Sequence, residues 1–471
     1  MIVDLMLGDV INAEGLPDEE RENLRSLIRT YEYHYDKNEK KEKYYEGHVK
    51  LEDVNLGIAL PKGFRGLEIG CEWGAKCVDA LAALSMFDGF VDQNGGDADE
   101  VTQIVEANNL IFEYKKACRD ELKYGVTFAT LSKDNTSGCR IRFHTPRTSA
   151  AHWNGAKGRI KRGFAIIDMK HDETQLMDIP VLINYYTDTA VWVLEKGDYG
   201  WSATAYPHKM GRPLMEPLIW NATSNKPFGR SRLKESVRRL IEGYVRTVAN
   251  ATIGLEFSTT PQKYILGLTD QQYNTVINEK FRQYVGAILA STTNPETGEK
   301  ASVGQFQQGT ITPHVEMMKL LATQFSAATG LTVTDTGVIN EANPTSADAL
   351  IAQSKTLISL AEELNKGNAT ALKNIILMAQ AIAKNVSPDG LDDSERAIMA
   401  HFKNPAMPSV ASMTDAALKL ATARQGFAET DTFLEMVGFD QADIRRIKAQ
   451  ESRARGMSVL TEEFGDDNIS S

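Results

Sequence analysis

The chain is poor in the residues that make stapled, metal-bound or membrane-embedded proteins. It has four cysteines in 471 residues, Cys71, Cys77, Cys118 and Cys139. None sits in a Cys-x-x-Cys pair and none has a His-x-x-x-His partner in range, so the composition argues against a zinc site and for free thiols in a reducing compartment. No apolar run approaches the roughly 20 residues needed to span a bilayer. The first residues, Met1-Ile-Val-Asp4-Leu, lack a basic start and carry Asp4 and Asp9 nearby, unlike a signal peptide. There is no internal repeat. None of the eight histidines (His34, His48, His144, His152, His171, His208, His314 and His401) lies in a Gly-x-Ser-x-Gly, His-Glu-x-x-His or phosphate-loop context. No enzyme class, metal or cofactor is supported by a motif.

Positive net charge is also missing. With 52 basic and 63 acidic residues the formal net charge is −11. Tight DNA binding usually relies on Lys and Arg neutralising phosphates, so the balance speaks against an avid nucleic-acid binder but not against a surface past which DNA slides. Hydrophobic content of 42% and charged content of 24% are those of a globular protein, long enough for roughly three domain-sized regions.

Periodicity gives an α+β organisation. Residues 18–45 repeat Leu24, Leu27, Ile28 and Tyr31 at helical spacing, ending at Tyr44-Tyr45-Glu46-Gly47. Residues 75–87 predict a helix with Val78, Leu81 and Leu84 on one face, and residues 100–122 another. Short β-branched or aromatic runs at 125–131, 140–144, 163–169, 181–186 and 190–194, separated by Gly, Asp and Asn, predict strands. Residues 231–250 carry an apolar stripe from Leu233 to Val248, with Arg232, Arg238, Arg239 and Arg246 on the opposite face. The flanks 287–291 and 300–306 of Asn294-Pro295-Glu296-Thr297-Gly298 predict a hairpin, because Pro fixes φ and Gly accepts positive φ. A further helix is expected from Thr312. Residues 345–365 predict a long helix, with Thr345 and Asp348 at capping-box spacing and Leu350, Leu357, Leu360 and Leu364 on one side. Beyond Gly367 the chain is Ala-rich and reads as almost wholly helical; its last ten residues, 462–471, read as a disordered tail.

Three local patterns invite chemistry. Leu67-Glu68-Ile69-Gly70-Cys71-Glu72-Trp73-Gly74 resembles the first motif of S-adenosylmethionine-dependent methyltransferases, but Glu72 stands where a second Gly belongs, and short strands follow instead of a parallel βαβ series. The plain alternative is a turn entering a helix near Ala75. The run from Asp92 to Asp99 hints at a calcium loop, yet its sixth position is Asp97, not Gly, and its twelfth is Gln103, not Glu, which leaves a solvated helix entry. From Arg140 to Arg162 there are seven basic residues (Arg140, Arg142, Arg147, Lys157, Arg159, Lys161 and Arg162) and no acid, with His144, His152 and Trp153 among them. They could meet DNA phosphates, an acidic neighbouring subunit, or only solvent; in an acidic protein an interface or a solvated loop is favoured over DNA.

Several stretches, in one order, resemble the bacteriophage portal proteins typified by the SPP1 portal. They are Tyr44-Tyr45-Glu46-Gly47, the turn Asp88-Gly89-Phe90 at a helix end, His208-Lys-Met-Gly211-Arg-Pro213, the helix start Pro227-Phe228-Gly229-Arg230-Ser231, and Asn343-Pro344-Thr345-Ser346-Ala347-Asp348-Ala349-Leu350 opening the long helix. The resemblance implies a portal-type α+β subunit. Residues 1–228 would form a mixed α/β wing, 229–330 a helical stem and a clip with a β-hairpin, 331–366 a tunnel loop and long helix, and 367–471 a mostly helical C-terminal wing and crown. It further implies a homo-oligomeric ring of about twelve copies at a capsid vertex. Double-stranded DNA would pass through without sequence preference. The terminase large subunit, head-completion or connector proteins, scaffold and major capsid protein would be the partners. The protein would be built in the host cytoplasm, reside in the virion, and need no membrane, metal or cofactor. Asp335, Asn340, Glu341, Asn343 and Thr345 are then candidates to face the channel. Asn294, Pro295, Glu296, Thr297 and Gly298 are candidates to dock the motor, and the seven basic residues of 140–162 to line a subunit interface. Another self-assembling virion component is the remaining alternative.

Overall fold

The computed structural model describes residues 7–50, 68–92, 99–134, 138–173, 177–259, 263–266, 298, 302–305, 310–337, 347–406, 410–424, 426–439, 443–444 and 446–454. In chain order the helices are α1 (Asp18–Tyr45), α2 (Trp73–Leu84), α3 (Asp99–Ala107), α4 (Leu110–Tyr124), α5 (Glu235–Thr259), α6 (Thr312–Thr329), α7 (Ala347–Lys384), α8 (Val410–Ala423) and α9 (Asp431–Val437), besides single short turns. The strands are β1 (His48–Lys50), β2 (Glu68–Gly70), β3 (Phe87–Asp92), β4 (Val126–Asp134), β5 (Gly138–His144), β6 (Ser149–Asn154) and β7 (Arg159–Asp172). They continue with β8 (Met177–Tyr186), β9 (Ala190–Gly197), β10 (Gly200–Pro207), β11 (Met215–Ile219), β12 (Lys263–Leu266), β13 (Ser302–Gln305) and β14 (Ile398–Phe402). The fold class is α+β, and every ladder between these strands is antiparallel.

The chain divides into two compact units. The first holds residues 1–38, 79–231 and 355–471, and the second residues 39–78 and 232–354. In the first unit β6 to β10 form a meander, ordered β10-β9-β8-β7-β6. The apolar stripe of α1 covers it. Leu24, Leu27, Ile28 and Tyr31 are buried with Phe164, Ile166, Ile183, Tyr185, Leu194 and Trp201, and Tyr31 meets Phe164 edge to face at 5.7 Å. The stripe predicts the helix, read from sequence as a surface helix; its seat on this sheet is a finding of the structure. A three-stranded sheet, β11-β4-β5, and a two-stranded one, β14-β3, complete the unit.

Four expectations are corrected. Asp88-Gly89-Phe90 is not a turn closing a helix: it lies inside β3, which pairs with β14 from Phe87↔Phe402 to Asp92↔Ile398. β14 also interrupts the C-terminal third, which was expected to be helical throughout. The single helix expected at 100–122 is two, because Asn109 adopts a left-handed conformation (φ 48°) between α3 and α4. Finally, α7 runs without a break through Gly367 to Lys384; a Cβ on Gly367 would meet nothing within 4 Å, and the helix beyond it is buried at Leu372, Ile375, Ile376 and Ala379. Tertiary burial outweighs the roughly 1 kcal/mol helix cost of one Gly.

The Pro-Phe-Gly-Arg-Ser segment does not itself open a helix, since α5 begins only at Glu235. It seats on the end of α4. Trp220 N–H donates to Gly125 O (3.0 Å) and Arg230 N–H to Trp220 O (2.9 Å), while Ser231 Oγ donates to Lys123 O at 2.5 Å. Gly125 ends α4 with φ 104°, and a Cβ there would lie 2.9 Å from the backbone of Arg230 and Ser231. Gly125→Ala is therefore expected to destabilise the first unit by about 1–3 kcal/mol, seen as a lower melting temperature; an unchanged melting temperature would contradict this seating.

Candidate functional site: a buried anchor and the bend after it

Within the second unit α5 and α6 pack against each other. The expected apolar stripe of α5 holds: Leu233, Val237 and Ile241 are buried, as are Leu321, Ala322 and Phe325 of α6. Arg232 departs from expectation. It does not lie on a solvent-facing side of the helix but precedes it and is only 7% exposed. Its Nε donates to Cys77 O (2.7 Å) in α2 and its Nη2 to Thr329 O (2.6 Å). Thr329 lies in the last turn of α6, whose carbonyls have no intrahelical partner and carry the negative end of the helix dipole. The planar guanidinium bridges this carbonyl and that of Cys77 in fixed geometry.

Trp73 opens α2 one turn before Cys77. Its indole lies between Tyr244 of α5 (4.3 Å between ring centroids) and Phe325 of α6 (4.8 Å), and its Nε1 donates to Thr336 O at 3.2 Å. Gly74 beside it admits the backbone of Tyr44: a Cβ would stand 2.0 Å from Tyr44 O. Tyr44 in turn donates its hydroxyl hydrogen bond to Glu242 of α5. The second Gly of the methyltransferase-like run is thus a packing glycine. β2 pairs antiparallel with β1, so the parallel series a methyltransferase requires is absent among the described residues.

After α6, Gly330 takes φ 77° and turns the chain into a short hydrogen-bonded bend. Asp335 Oδ2 accepts from Thr332 N–H (2.9 Å) and Thr332 Oγ1 (2.8 Å), and its Oδ1 lies 4.0 Å from Lys76 Nζ. Of the channel-loop candidates, Asp335 is described and is engaged in this bend. Asn340, Glu341, Asn343 and Thr345 lie outside the described residues, as does the Thr345 end of the capping box. Farther along the second unit, β12 pairs with β13 from Lys263↔Gln305 to Leu266↔Ser302. Gly298 is exposed with φ 70°; Asn294, Pro295, Glu296 and Thr297, the flank 287–291, residues 93–98 of the calcium-like run and the tail 462–471 lie outside the described residues.

The basic stretch is divided between two sheets of the first unit. Arg140 and Arg142 are exposed on β5 of the three-stranded sheet, and Arg140 pairs with Asp134 (3.8 Å). Arg147 follows β5, its carbonyl accepting from the Tyr31 hydroxyl at 2.5 Å. Lys157 sits in the exposed turn between β6 and β7; Arg159, Lys161 and Arg162 are on β7 of the five-stranded sheet, Arg159 Nη2 donating to Gly211 O (2.8 Å). Burial, with Arg142 beside it, pushes His144 down to about 4. Burial, with Arg162 and Lys161, lowers His152 as well. Both imidazoles are neutral at pH 7 and add no charge to the patch. None of the four cysteines forms a disulfide and all are buried; burial pushes Cys71 up to about 11 and Cys139 up to about 12, which disfavours the reactive thiolate.

A family model described as phage portal protein, SPP1 Gp6-like, matches residues 24–457. The chain belongs to that portal family. Among solved structures, it is similar to a chain in the neck of a native gene transfer agent particle computed with C12 symmetry (13% identity, 78% of this chain and 89% of that chain, TM-score 0.44). It is also similar to a chain in a gene transfer agent virion (12% identity, 78% and 89%, TM-score 0.45) and to one in the neck of an empty particle computed with C6 symmetry (12% identity, 83% and 92%, TM-score 0.44). No curated protein matches.

Sequence reasoning missed Trp73 and Arg232 as anchors. The signal available was a Trp followed by Gly at a helix start. Trp73→Phe keeps the ring between its neighbours but leaves Thr336 O without its donor. It is expected to cost about 1–2 kcal/mol and to speed amide exchange in residues 332–337, read by hydrogen-exchange mass spectrometry; unchanged exchange would mean that the indole does not hold the bend.

Proposed function

We propose that this portal-family protein forms a closed ring of about twelve copies around a channel for double-stranded DNA. It sits at one capsid vertex, guides DNA during packaging and ejection, and docks the terminase large subunit and then head-completion proteins. It works with scaffold and major capsid protein, is assembled in the host cytoplasm, and performs no bond chemistry itself; ATP hydrolysis belongs to the motor. Residues 1–228 serve as wing, 229–330 as stem and clip, 331–366 as tunnel loop and long helix, and 367–471 as C-terminal wing and crown.

The observation that carries this reading is the family match over nearly the whole chain. Physical chemistry supports it. A conduit must not hold its cargo, because many Lys or Arg contacts to phosphates would arrest translocation. Residues 331–345 contain Asp335 and Glu341 and no Lys or Arg, with Asn340, Asn343 and Thr345 as further channel-facing candidates. The clip tip, Asn294 to Gly298, is the proposed motor contact. The basic residues from Arg140 to Arg162 are proposed to meet the acidic surface of a neighbouring copy.

Electron microscopy of the purified full-length protein is expected to show annuli with a central hole; a monomer at high concentration, or shells and sheets, would refute the reading. Deleting residues 294–298 is expected to leave those annuli intact and to weaken motor binding in a pull-down with the terminase large subunit. Loss of assembly would make the hairpin part of the structural core.

A further inference from the structure

The first unit contains a carboxyl group that neither the fold nor the proposed function uses. Glu121 of α4 is fully buried, with no exposed surface. Its Oε2 accepts from Asn368 Nδ2 of α7 at 2.7 Å, and the same amide donates to the Tyr114 hydroxyl at 2.9 Å. Tyr114 donates onward to Ser85 (2.7 Å), and Ser85 to Asn365 Oδ1 (2.6 Å). Every donor in this chain is spent. Two buried acceptors remain without a partner, Glu121 Oε1 and Asn368 Oδ1, and they belong to the two residues already joined by one hydrogen bond.

Among the described residues no cation pairs with the carboxylate. On α4 its titratable neighbours are Tyr114 and Cys118, both raised by burial, with Arg119 next to Cys118. The charges on the elements packed against α4 are engaged elsewhere or exposed. Asp88 of β3 pairs with Lys403, Arg140 of β5 with Asp134, Glu100 of α3 with Lys384, and Glu216 of β11 with Arg212; Arg142 and Glu106 are exposed. An ionised carboxylate sealed from water with a single donor is among the costliest arrangements a core can hold. A neutral acid and a primary amide, by contrast, complement each other in two hydrogen bonds.

We propose that Glu121 is a protonated carboxylic acid in the folded protein, donating from Oε1 to Asn368 Oδ1 while Asn368 Nδ2 donates to Oε2, so that α4 and α7 are clasped by an acid–amide ring that takes up one proton on folding. The ring satisfies both unpartnered acceptors at once. Burial pushes the Glu121 carboxyl up to about 8, opposed only by the Asn368 hydrogen bond, which agrees with the geometry. The sign follows from linkage: the folded state holds a proton that the unfolded state releases near the ordinary value of 4.5. The contribution to stability is therefore complete below that value and is lost as pH rises from there through about 8. Buried His144 and His152 act in the opposite sense, gaining stability as pH rises, so a difference between variants isolates Glu121.

The test compares full-length wild type with Glu121→Gln in the same oligomeric state, by melting temperature across this pH range and by infrared spectroscopy in the carboxylic-acid carbonyl region. Gln reproduces the neutral ring, its Nε2 donating to Asn368 Oδ1. The expected result is a variant as stable as wild type near pH 5, with the gap between them widening in the variant's favour toward pH 8. A protonated-carboxyl band should be present in wild type at pH 6 to 7, lost at higher pH, and missing that component in the variant. Parallel pH profiles, or wild type without such a band at pH 6, would overturn the proposal and leave Glu121 ionised beside a buried water. If Glu121→Gln fails to fold, the wild-type band and its titration still decide between the two.

Discussion

The second unit depends on one guanidinium removed from water. Among the described residues no carboxylate pairs with Arg232, and two carbonyls, one from α2 and one from the end of α6, take its hydrogen bonds instead. Losing either would leave a buried donor unmet, and the helices are accordingly confined to one arrangement. Trp73 lies one turn from Cys77 on α2, and fixing that helix brings the indole between Tyr244 and Phe325. From there its Nε1 reaches Thr336 and sets the bend after Gly330. A buried polar contact thus fixes the bend at residues 331–337. Apolar packing alone would have left the register of α6 against α2 looser, since apolar surface is non-directional.

What could be read from the sequence was what repeats locally. The stripe of Leu24, Leu27, Ile28 and Tyr31 predicts α1, and short β-branched or aromatic runs predict strands at 163–169, 181–186 and 190–194, which fall in β7, β8 and β9 of a meander whose neighbours in space are neighbours in sequence. Non-local features left no such trace. β14 pairs with β3 across some three hundred residues, and neither strand is long enough to announce itself; Gly89 therefore reads as a turn. Asn109 looks like any helix residue until its positive φ splits α3 from α4. Gly367 looks like a helix end, but the residues around it bury enough surface to carry the helix through. Arg232 reads as solvent-facing because an Arg opposite an apolar stripe normally is; only the positions of two distant carbonyls reveal the exception.

The same limit applies to charge. Seven basic residues crowd one stretch of sequence, yet they belong to two sheets, one of them already pairs with Asp134, and the histidines among them are neutral. A linear cluster is therefore a weaker field than its count suggests. Glu121 shows the converse, a lone acid that sequence reading passes over because an acidic residue near a helix C-terminus looks like ordinary surface. Its consequence arises from burial beside Asn368, a residue far along the chain.

A subunit proposed to conduct DNA does not need converging nucleophiles or a sealed cavity. It needs a rigid wall, a segment that begins at a defined point, and few positive charges along the path. The first two requirements are mechanical, and the second unit holds side chains suited to them that ordinarily signal other things: a buried Arg on two carbonyls, a Trp between two aromatic rings, and a Gly that admits the Tyr44 backbone. Each would count as a candidate binding residue in a list of residue types. The hydrogen bonds of Arg232 and Trp73 go to this chain's own carbonyls, so both side chains hold the second unit together. The third requirement constrains composition over a segment, so no single residue of 331–345 carries the proposed role. What the proposed channel asks of that segment is the absence of Lys and Arg, and absence is a property that a motif search is not built to see.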